Sequence, residues 1–125
     1  MSIFENKEAW AAVLLLSCAA PVAAFESGAA LECRFETECF DAEGCDATDY
    51  TATLTPSDGG ATLSDVAEDV PMQPVEVDGT TAYVGHANGA LRLLTGLEGE
   101  TARLSVHQAA GDLMLNYVGV CERAD

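Results

Sequence analysis

The sequence predicts an all-β domain, a small antiparallel meander that forms either a barrel or a two-sheet sandwich and is stabilised by disulfides. Short runs of residues alternate between apolar and polar, and turn-forming sequences such as Asp78-Gly79 and Asn88-Gly89 separate them. Almost no stretch has the 3.6-residue period of a helix. A chain of 125 residues has room for one domain.

The strands follow from the pattern of each run. In the first, 31–36, the side chains of Leu31, Cys33 and Phe35 share one face and charged residues occupy the other, which is typical of a half-buried strand. Similar alternation or apolar runs predict further strands at 50–55, 61–63, 72–77, 80–84, 90–95, 102–107 and 113–121. Seven or eight strands are therefore expected, with a short helical turn only over 63–70.

The N-terminal segment differs from the rest of the chain. Residues 9–24 are almost wholly apolar and too few to span a bilayer comfortably, and they end in small residues. We interpret 1–24 as a secretory signal peptide cleaved before Phe25, which leaves 25–125 as a single acidic β domain, periplasmic or secreted and not inserted in a membrane. The alternatives are a buried helix and a lipoprotein acylated at Cys18.

Four cysteines follow this segment: Cys33, Cys39, Cys45 and Cys121. An even number in an exported domain predicts two disulfides. We favour a local Cys39–Cys45 pair and a Cys33–Cys121 link between the first and last strands, the latter worth about 4 kcal/mol in the chain-entropy model. A metal–thiolate site is the alternative, although structural zinc ligands usually lie closer together in sequence.

The charge of the chain excludes several classes of partner. Twenty-one acidic residues against five basic ones give a formal charge of −16 and an isoelectric point near 4.1. Such a chain repels polyanions and releases no counterions from phosphate, so we expect no nucleic-acid binding. Anionic membrane surfaces are disfavoured for the same reason.

An acidic, cysteine-rich loop is predicted over 37–49, and carboxylates are dense in and beside it. Those at Glu36, Glu38, Asp41, Glu43, Asp46 and Asp49 fall within 14 residues. Hard oxygen ligands of this kind suit calcium, so the last five are candidate ligands, although their spacing does not match an EF-hand. The alternative is a solvated acidic surface, as expected in a uniformly acidic protein.

Catalytic signatures are not found. His86 and His107 have no metal-ligand spacing, and the sequence contains no hydrolase motif and no glycine-rich phosphate loop. We therefore predict no catalytic residues and no cofactor. The tyrosines Tyr50, Tyr83 and Tyr117 would either line a binding face or belong to the core.

Two stretches, ECFDAEGC at 38–45 and the C-terminal 104–122, resemble small exported proteins of alphaproteobacteria to which no activity is assigned. A small exported β-barrel in which Tyr117 precedes Cys121 by four residues is also similar to the periplasmic inhibitors of C-type lysozyme. The Ser-Gly-Ala-Arg-Tyr loop that those inhibitors insert into the enzyme is missing here.

The function that these observations predict is a non-enzymatic, exported β domain that binds a protein partner or a small ligand. Its acidity would serve solubility and attract cationic targets. Three alternatives stay open: a lysozyme-inhibitor-like protein, a calcium-dependent module built on the acidic segment, and a hydrolase that uses carboxylates in a pocket.

Overall fold

The computed structural model describes residues 28–111 and 113–124, which form one closed antiparallel barrel. Its strands are β1 (Leu31–Phe40), β2 (Gly44–Ser57), β3 (Gly60–Ser64), β4 (Asp69–Val77), β5 (Thr80–Ala87), β6 (Ala90–Thr95), β7 (Ala102–Gln108) and β8 (Met114–Arg123). Each strand pairs with its neighbours in sequence, and β1 also pairs with β8. The all-β prediction is confirmed, and of the two predicted architectures the barrel is the one that forms.

Two-residue turns join several of the strands. At Asp78-Gly79 the φ angles are 52° and 82°, and at Asn88-Gly89 they are 53° and 79°. Positive φ at both positions is the geometry of a mirror-image turn, whose twist matches that of the flanking strands. Asn, Asp and Gly adopt this left-handed conformation at the least energetic cost, so these dipeptides fix the register of their hairpins.

The β1–β2 hairpin is longer than the sequence pattern predicts. Because β1 continues to Phe40 and β2 begins at Gly44, the predicted loop over 37–49 is wrong. A register shift in β1 between Phe35 and Thr37 explains the difference. Beyond it the alternation moves by one residue, so a charged residue occupies an inward position and the strand pattern is hidden.

The predicted helical turn over 63–70 is also wrong. Strand β3 ends at Ser64, a four-residue loop follows at 65–68, and β4 begins at Asp69. Side-chain hydrogen bonds close this loop, since the Asp65 Oδ1 atom accepts from the backbone amides of Ala67 and Glu68 at 2.8 and 3.0 Å. Leu63 and Val70, the apolar residues at the two ends of this stretch, belong to β3 and β4 and point into the core.

The barrel interior is filled by side chains from every strand except β8, whose Tyr117 and Cys121 pack against it part-buried. The core consists of Leu31, Cys33, Phe35, Ala52, Leu54, Ala61, Leu63, Val70, Met72, Tyr83, Leu94, Ala102 and Leu104. No buried polar or charged residue occurs in the described part of the chain.

The connections define two ends of the barrel, which we call the open end and the closed end. The open end carries the β1–β2, β3–β4, β5–β6 and β7–β8 connections. The closed end carries the other connections and both ends of the described chain, which are joined by a hydrogen bond of 3.0 Å from the Ala124 amide to the Ala30 carbonyl. Leu97, in the β6–β7 connection, packs against the core there.

Two disulfides connect the strands in the predicted pairing. Cys33 and Cys121 face each other across β1 and β8, with their Cα atoms 3.9 Å apart, and Cys39 and Cys45 face each other across the β1–β2 hairpin at 4.0 Å. Disulfides persist in oxidising compartments. The domain therefore belongs to an oxidising, extracytoplasmic location.

Candidate functional site

A pocket of about 350 Å³ lies inside the open end of the barrel. This volume is at the lower limit of typical small-molecule sites. It is lined by Tyr50, Asp65, Glu68, Asn88, Ala90, Arg92, Val106, Gln108, Leu115 and Tyr117. Residues from four strands and two loops contribute, so the pocket exists only once the sheet has closed.

Two tyrosines form the aromatic wall of the pocket. Tyr50 comes from β2 and Tyr117 from β8, and their ring centroids lie 4.8 Å apart. Phe35, fully buried below them, lies 5.8 Å from the first ring and 5.9 Å from the second. Tyr50 stacks on this buried ring and Tyr117 packs against it at an angle of 50°, and both tyrosines remain part-exposed in the pocket.

The hydroxyl of Tyr50 donates a hydrogen bond of 2.6 Å to the Oδ2 atom of Asp65. Burial is the largest cause that raises the pKa of Tyr50 above its usual value, and this hydrogen bond raises it further. Burial also raises the pKa of Asp65, but the hydrogen bonds from Tyr50, Ala67 and Glu68 outweigh it and hold that pKa below its usual value. At neutral pH the pair is a neutral phenol and an ionised carboxylate.

Arg92 projects into the open end from β6, where it alternates with the core residues Ala90 and Leu94. Its guanidinium pairs with the carboxylate of Glu68, and these side chains are only 11% and 21% exposed. The same group donates hydrogen bonds of 3.1 and 3.3 Å to the carbonyls of Ala87 and Ala90. Several hydrogen bonds therefore satisfy the charge of this cation.

A second carboxylate is held by the other tyrosine. Glu38 faces Tyr117 across β1 and β8 as a result of the register shift described above. Burial raises the pKa of Tyr117 to about 12, with a further contribution from the hydrogen bond that its hydroxyl makes with Glu38. Both pocket tyrosines are therefore neutral hydrogen-bond donors over the physiological pH range.

The five predicted calcium ligands do not converge. Glu38 contacts Tyr117, Asp41 and Glu43 lie in the turn at the tip of the hairpin, and Asp46 and Asp49 are exposed on β2. Over residues 28–111 and 113–124, no three His, Cys, Asp or Glu side chains are grouped so that they could hold a metal ion.

The other predicted site residues lie away from the pocket. His86 and His107 are exposed, and Leu91 lies between them as the register partner of both. Tyr83 is buried in the core, whereas Tyr50 and Tyr117 line the pocket and also pack against the core. Of the two roles predicted for the tyrosines, Tyr83 therefore has the core role, and Tyr50 and Tyr117 line a candidate binding pocket.

Sequence reasoning missed the charged residues of the pocket, which are Asp65, Glu68 and Arg92. A signal for the last was present, because Arg92 falls at an inward position between Ala90 and Leu94 in a strand otherwise rich in apolar residues. A charge at such a position is typical of a functional or paired group.

Comparisons of the chain with protein-family models, with curated proteins and with solved structures find no match. Within the described ranges, no helix is long and apolar enough to cross a membrane.

Proposed function

We propose that this protein is a non-enzymatic binding domain, periplasmic or secreted, which holds a small organic cation in the open end of its barrel. The observation that carries the proposal is the pocket of about 350 Å³, whose lining combines two tyrosine rings with more carboxylates than cationic side chains. A primary amine, a guanidinium or a quaternary ammonium group attached to a small organic body has the matching chemistry.

The charges of the lining favour a cation. Asp65 and Glu68 contribute two carboxylates against the one guanidinium of Arg92, and Glu38 adds a third carboxylate next to the tyrosine wall. The negative charge of the whole chain strengthens the attraction at a distance. A ligand carboxylate or phosphate would meet repulsion at each of these groups, because the guanidinium is already engaged by Glu68.

The aromatic wall favours an organic cation over a hydrated inorganic ion. Cations bind against the faces of tyrosine rings with about 0.5–2 kcal/mol, most strongly where water is excluded. Both rings line the pocket, with their centroids 4.8 Å apart, and the hydroxyl of one is hydrogen-bonded to Asp65.

The protonation of the pocket supports binding rather than acid–base catalysis. A general acid or base works best with a pKa near the working pH. Here the pKa values are shifted away from neutral pH, since that of Asp65 is lowered and those of Tyr50 and Tyr117 are raised. Each of these groups therefore keeps one protonation state at neutral pH and serves to position a ligand. The hydrolase, calcium-module and lysozyme-inhibitor alternatives remain predictions from the sequence.

Titration calorimetry with three probes of similar shape tests the proposal: benzylamine, benzyl alcohol and benzoate, each added to the oxidised domain at pH 7. We expect the amine to bind and the other two to bind at least tenfold more weakly. Binding of benzoate equal to that of benzylamine, or no heat from any cation up to millimolar concentration including choline and agmatine, would overturn the proposal.

Variants locate the binding. Tyr117→Leu removes one ring and Asp65→Asn removes one charge, and each is expected to weaken amine binding by tenfold or more, or about 1.4 kcal/mol. Glu122→Gln is the matched control, because it removes an exposed carboxylate from β8 outside the pocket. An equal loss in the control would show that only the net charge matters.

A further inference from the structure

Strand β2 extends well beyond its neighbour β3. It contains 14 residues against five in β3, and the two pair only over Thr53–Ser57 of β2. Residues 44–47 and 50–52 pair with β1 on one side, and no described strand pairs with the other side of 44–52. We call this stretch the free edge of β2. It lies next to the open end, where the β1–β2 hairpin continues past the last residue of the β2–β3 pairing.

The backbone of the free edge presents unused hydrogen-bonding groups. Ser57 and Gly60 flank the two-residue β2–β3 turn, so their amides and carbonyls face each other across the hairpin. The backbone N–H and C=O groups of every second residue of β2 point towards β3 in the same way, at Thr55 and at Thr53. Thr51, two residues earlier, continues this alternation. Its N–H and C=O therefore point outward from the free edge, where β3 has ended.

A groove lies beside this part of the edge. Its volume is about 280 Å³, and it is lined by Thr51, Ala52, Thr53, Ser64, Asp65 and Val66. Val66 is fully exposed, which is unusual for a large aliphatic side chain unless it contacts something else. The groove therefore offers space for a further strand, backbone groups to pair with it and an apolar contact at its end.

The charges around the groove select a basic occupant. Asp46 and Asp49 lie exposed on β2 and Asp65 lies in the groove wall. Two cations lie beside these carboxylates. The Nη1 atom of Arg34 is 3.9 Å from the Oδ1 atom of Asp49 on an exposed surface. Arg92 acts on Asp65 from the pocket side, where it pairs with Glu68. A strand that carried lysine or arginine would complement this surface, whereas an acidic one would be repelled.

We propose that the free edge of β2 binds a short, basic, extended segment of a partner protein by strand addition. A second copy of this chain is a poor occupant, because pairing two free edges would bring Asp46 and Asp49 of two strongly acidic molecules together. The register shift that skips residues 48 and 49 leaves 50–52 as the regular part of the edge. The docked segment is thus about three to five residues long.

Fluorescence anisotropy with a labelled five-residue peptide of alternating lysine and valine tests this proposal. The peptide in which glutamate replaces lysine should not bind. Two further peptides are N-methylated, one at the valines and the other at the lysines. Because only alternate amides of a docked strand face the edge, we expect one methylated peptide to lose binding and the other to keep it. Loss in both or in neither contradicts strand addition.

Variants of the protein separate the edge from the pocket. Asp46→Lys combined with Asp49→Lys should weaken peptide binding at least tenfold. Glu98→Lys combined with Glu100→Lys, the same change of charge in the exposed β6–β7 connection at the closed end, should change it less than threefold. Thr51→Pro removes one outward N–H and is tolerated at a free edge, and it should also abolish binding. Tyr117→Leu should leave peptide binding unchanged, so failure here and failure of the pocket proposal are distinguishable.

An outcome without any peptide binding at millimolar concentration would overturn the proposal, and the aspartates would then serve only to keep a free edge from aggregating. Equal peptide binding by the double variant of β2 and by its control with Glu98→Lys and Glu100→Lys would also overturn it. If a binding signal appears only at concentrations at which the protein forms dimers, the occupant of the free edge is a second copy of the chain and not the peptide.

Discussion

The two ends of the barrel use the same strand alternation for different purposes. Towards the closed end the inward positions hold fully buried apolar residues such as Leu94, and a disulfide joins β1 to β8 at Cys33. At the open end the inward positions hold Arg92 and two tyrosines, with Glu68 reaching in from a loop. One end is filled by side chains and the other leaves a pocket.

This difference shows how a small barrel separates stability from recognition. Close packing at one end provides the hydrophobic free energy of folding. The other end then tolerates charged groups, because each is paired or hydrogen-bonded: Arg92 with Glu68, and Asp65 with Tyr50. Substitutions should therefore affect mainly stability at the closed end and mainly binding at the open end.

The largest expected effect compares the two disulfides. Replacing Cys33 and Cys121 by alanine should lower the free energy of unfolding by about 4–5 kcal/mol, and replacing Cys39 and Cys45 by about 2 kcal/mol, because the loop entropy depends on the length of chain closed. The sequence separations are 88 and 6. Urea denaturation of the two double variants measures both values. A greater loss at the hairpin tip would break the comparison.

A second prediction compares leucines in the two halves of the interior. Leu94 is fully buried, and Leu94→Ala should cost about 2–5 kcal/mol of unfolding free energy. Leu115 is half-buried in the pocket wall, and Leu115→Ala should cost about 1 kcal/mol because water already reaches the site. Thermal and urea unfolding give the two values, and equal losses would mean that the pocket wall is packed as tightly as the core.

A third prediction sharpens the role of the charged pair. Arg92→Met leaves the Glu68 carboxylate half-buried without its cation, so the free energy of unfolding should fall by about 1–3 kcal/mol. Adding Glu68→Leu removes the unpaired charge and should restore most of this loss. A double-mutant cycle measured by urea unfolding tests it. If the double variant is less stable than either single variant, the pair contributes to packing and not only to charge balance.

A fourth prediction concerns the loss of stability at high pH. The pKa of Tyr117 rises from 10.0 to about 12 on folding, and that of Tyr50 is also raised. In the unfolded chain both phenols ionise near pH 10, whereas in the folded domain they stay protonated. The stability that they contribute is present below pH 10 and is lost as the pH rises towards 12.

The absorbance of tyrosinate in the ultraviolet, measured from pH 9 to 12, reports the ionisation of the phenols. Urea unfolding over the same range gives the free energy of unfolding at each pH. Tyr50→Phe and Tyr117→Phe should each reduce the fall in stability with pH. A titration centred at pH 10 for both pocket phenols would show that the pocket is more open to water than the structure indicates.

Local patterns predicted much of the fold. The alternation of Leu31, Cys33 and Phe35 predicted the first half of β1, and the turn dipeptides placed hairpins correctly. The second half of β1 was missed because a register shift changes the alternation at Glu36. Such a shift depends on the strands at both sides, β2 and β8, and not on the local residues.

The pocket was only partly predictable. Tyr50 and Tyr117 were recognised as possible members of a binding face, and Arg92 carried a signal in its inward position. Asp65 was not distinguishable from the other acidic residues by composition or spacing. Its role depends on a loop that brings it to Tyr50, 15 residues earlier in the chain.

The sequence by itself determined the strand-rich class and the turns between hairpins, because these depend on side-chain period and on residues near each other in the chain. It favoured the observed cysteine pairing, but the link between Cys33 and Cys121, 88 residues apart, forms across the β1–β8 closure. Only the tertiary structure decided that the sheet closes through β1 and β8, that an edge of β2 stays free and that Tyr50, Arg92 and Tyr117 meet in one pocket. Closure fixes strand tilt and register together around the whole barrel, so these contacts are properties of the complete sheet and of no single segment.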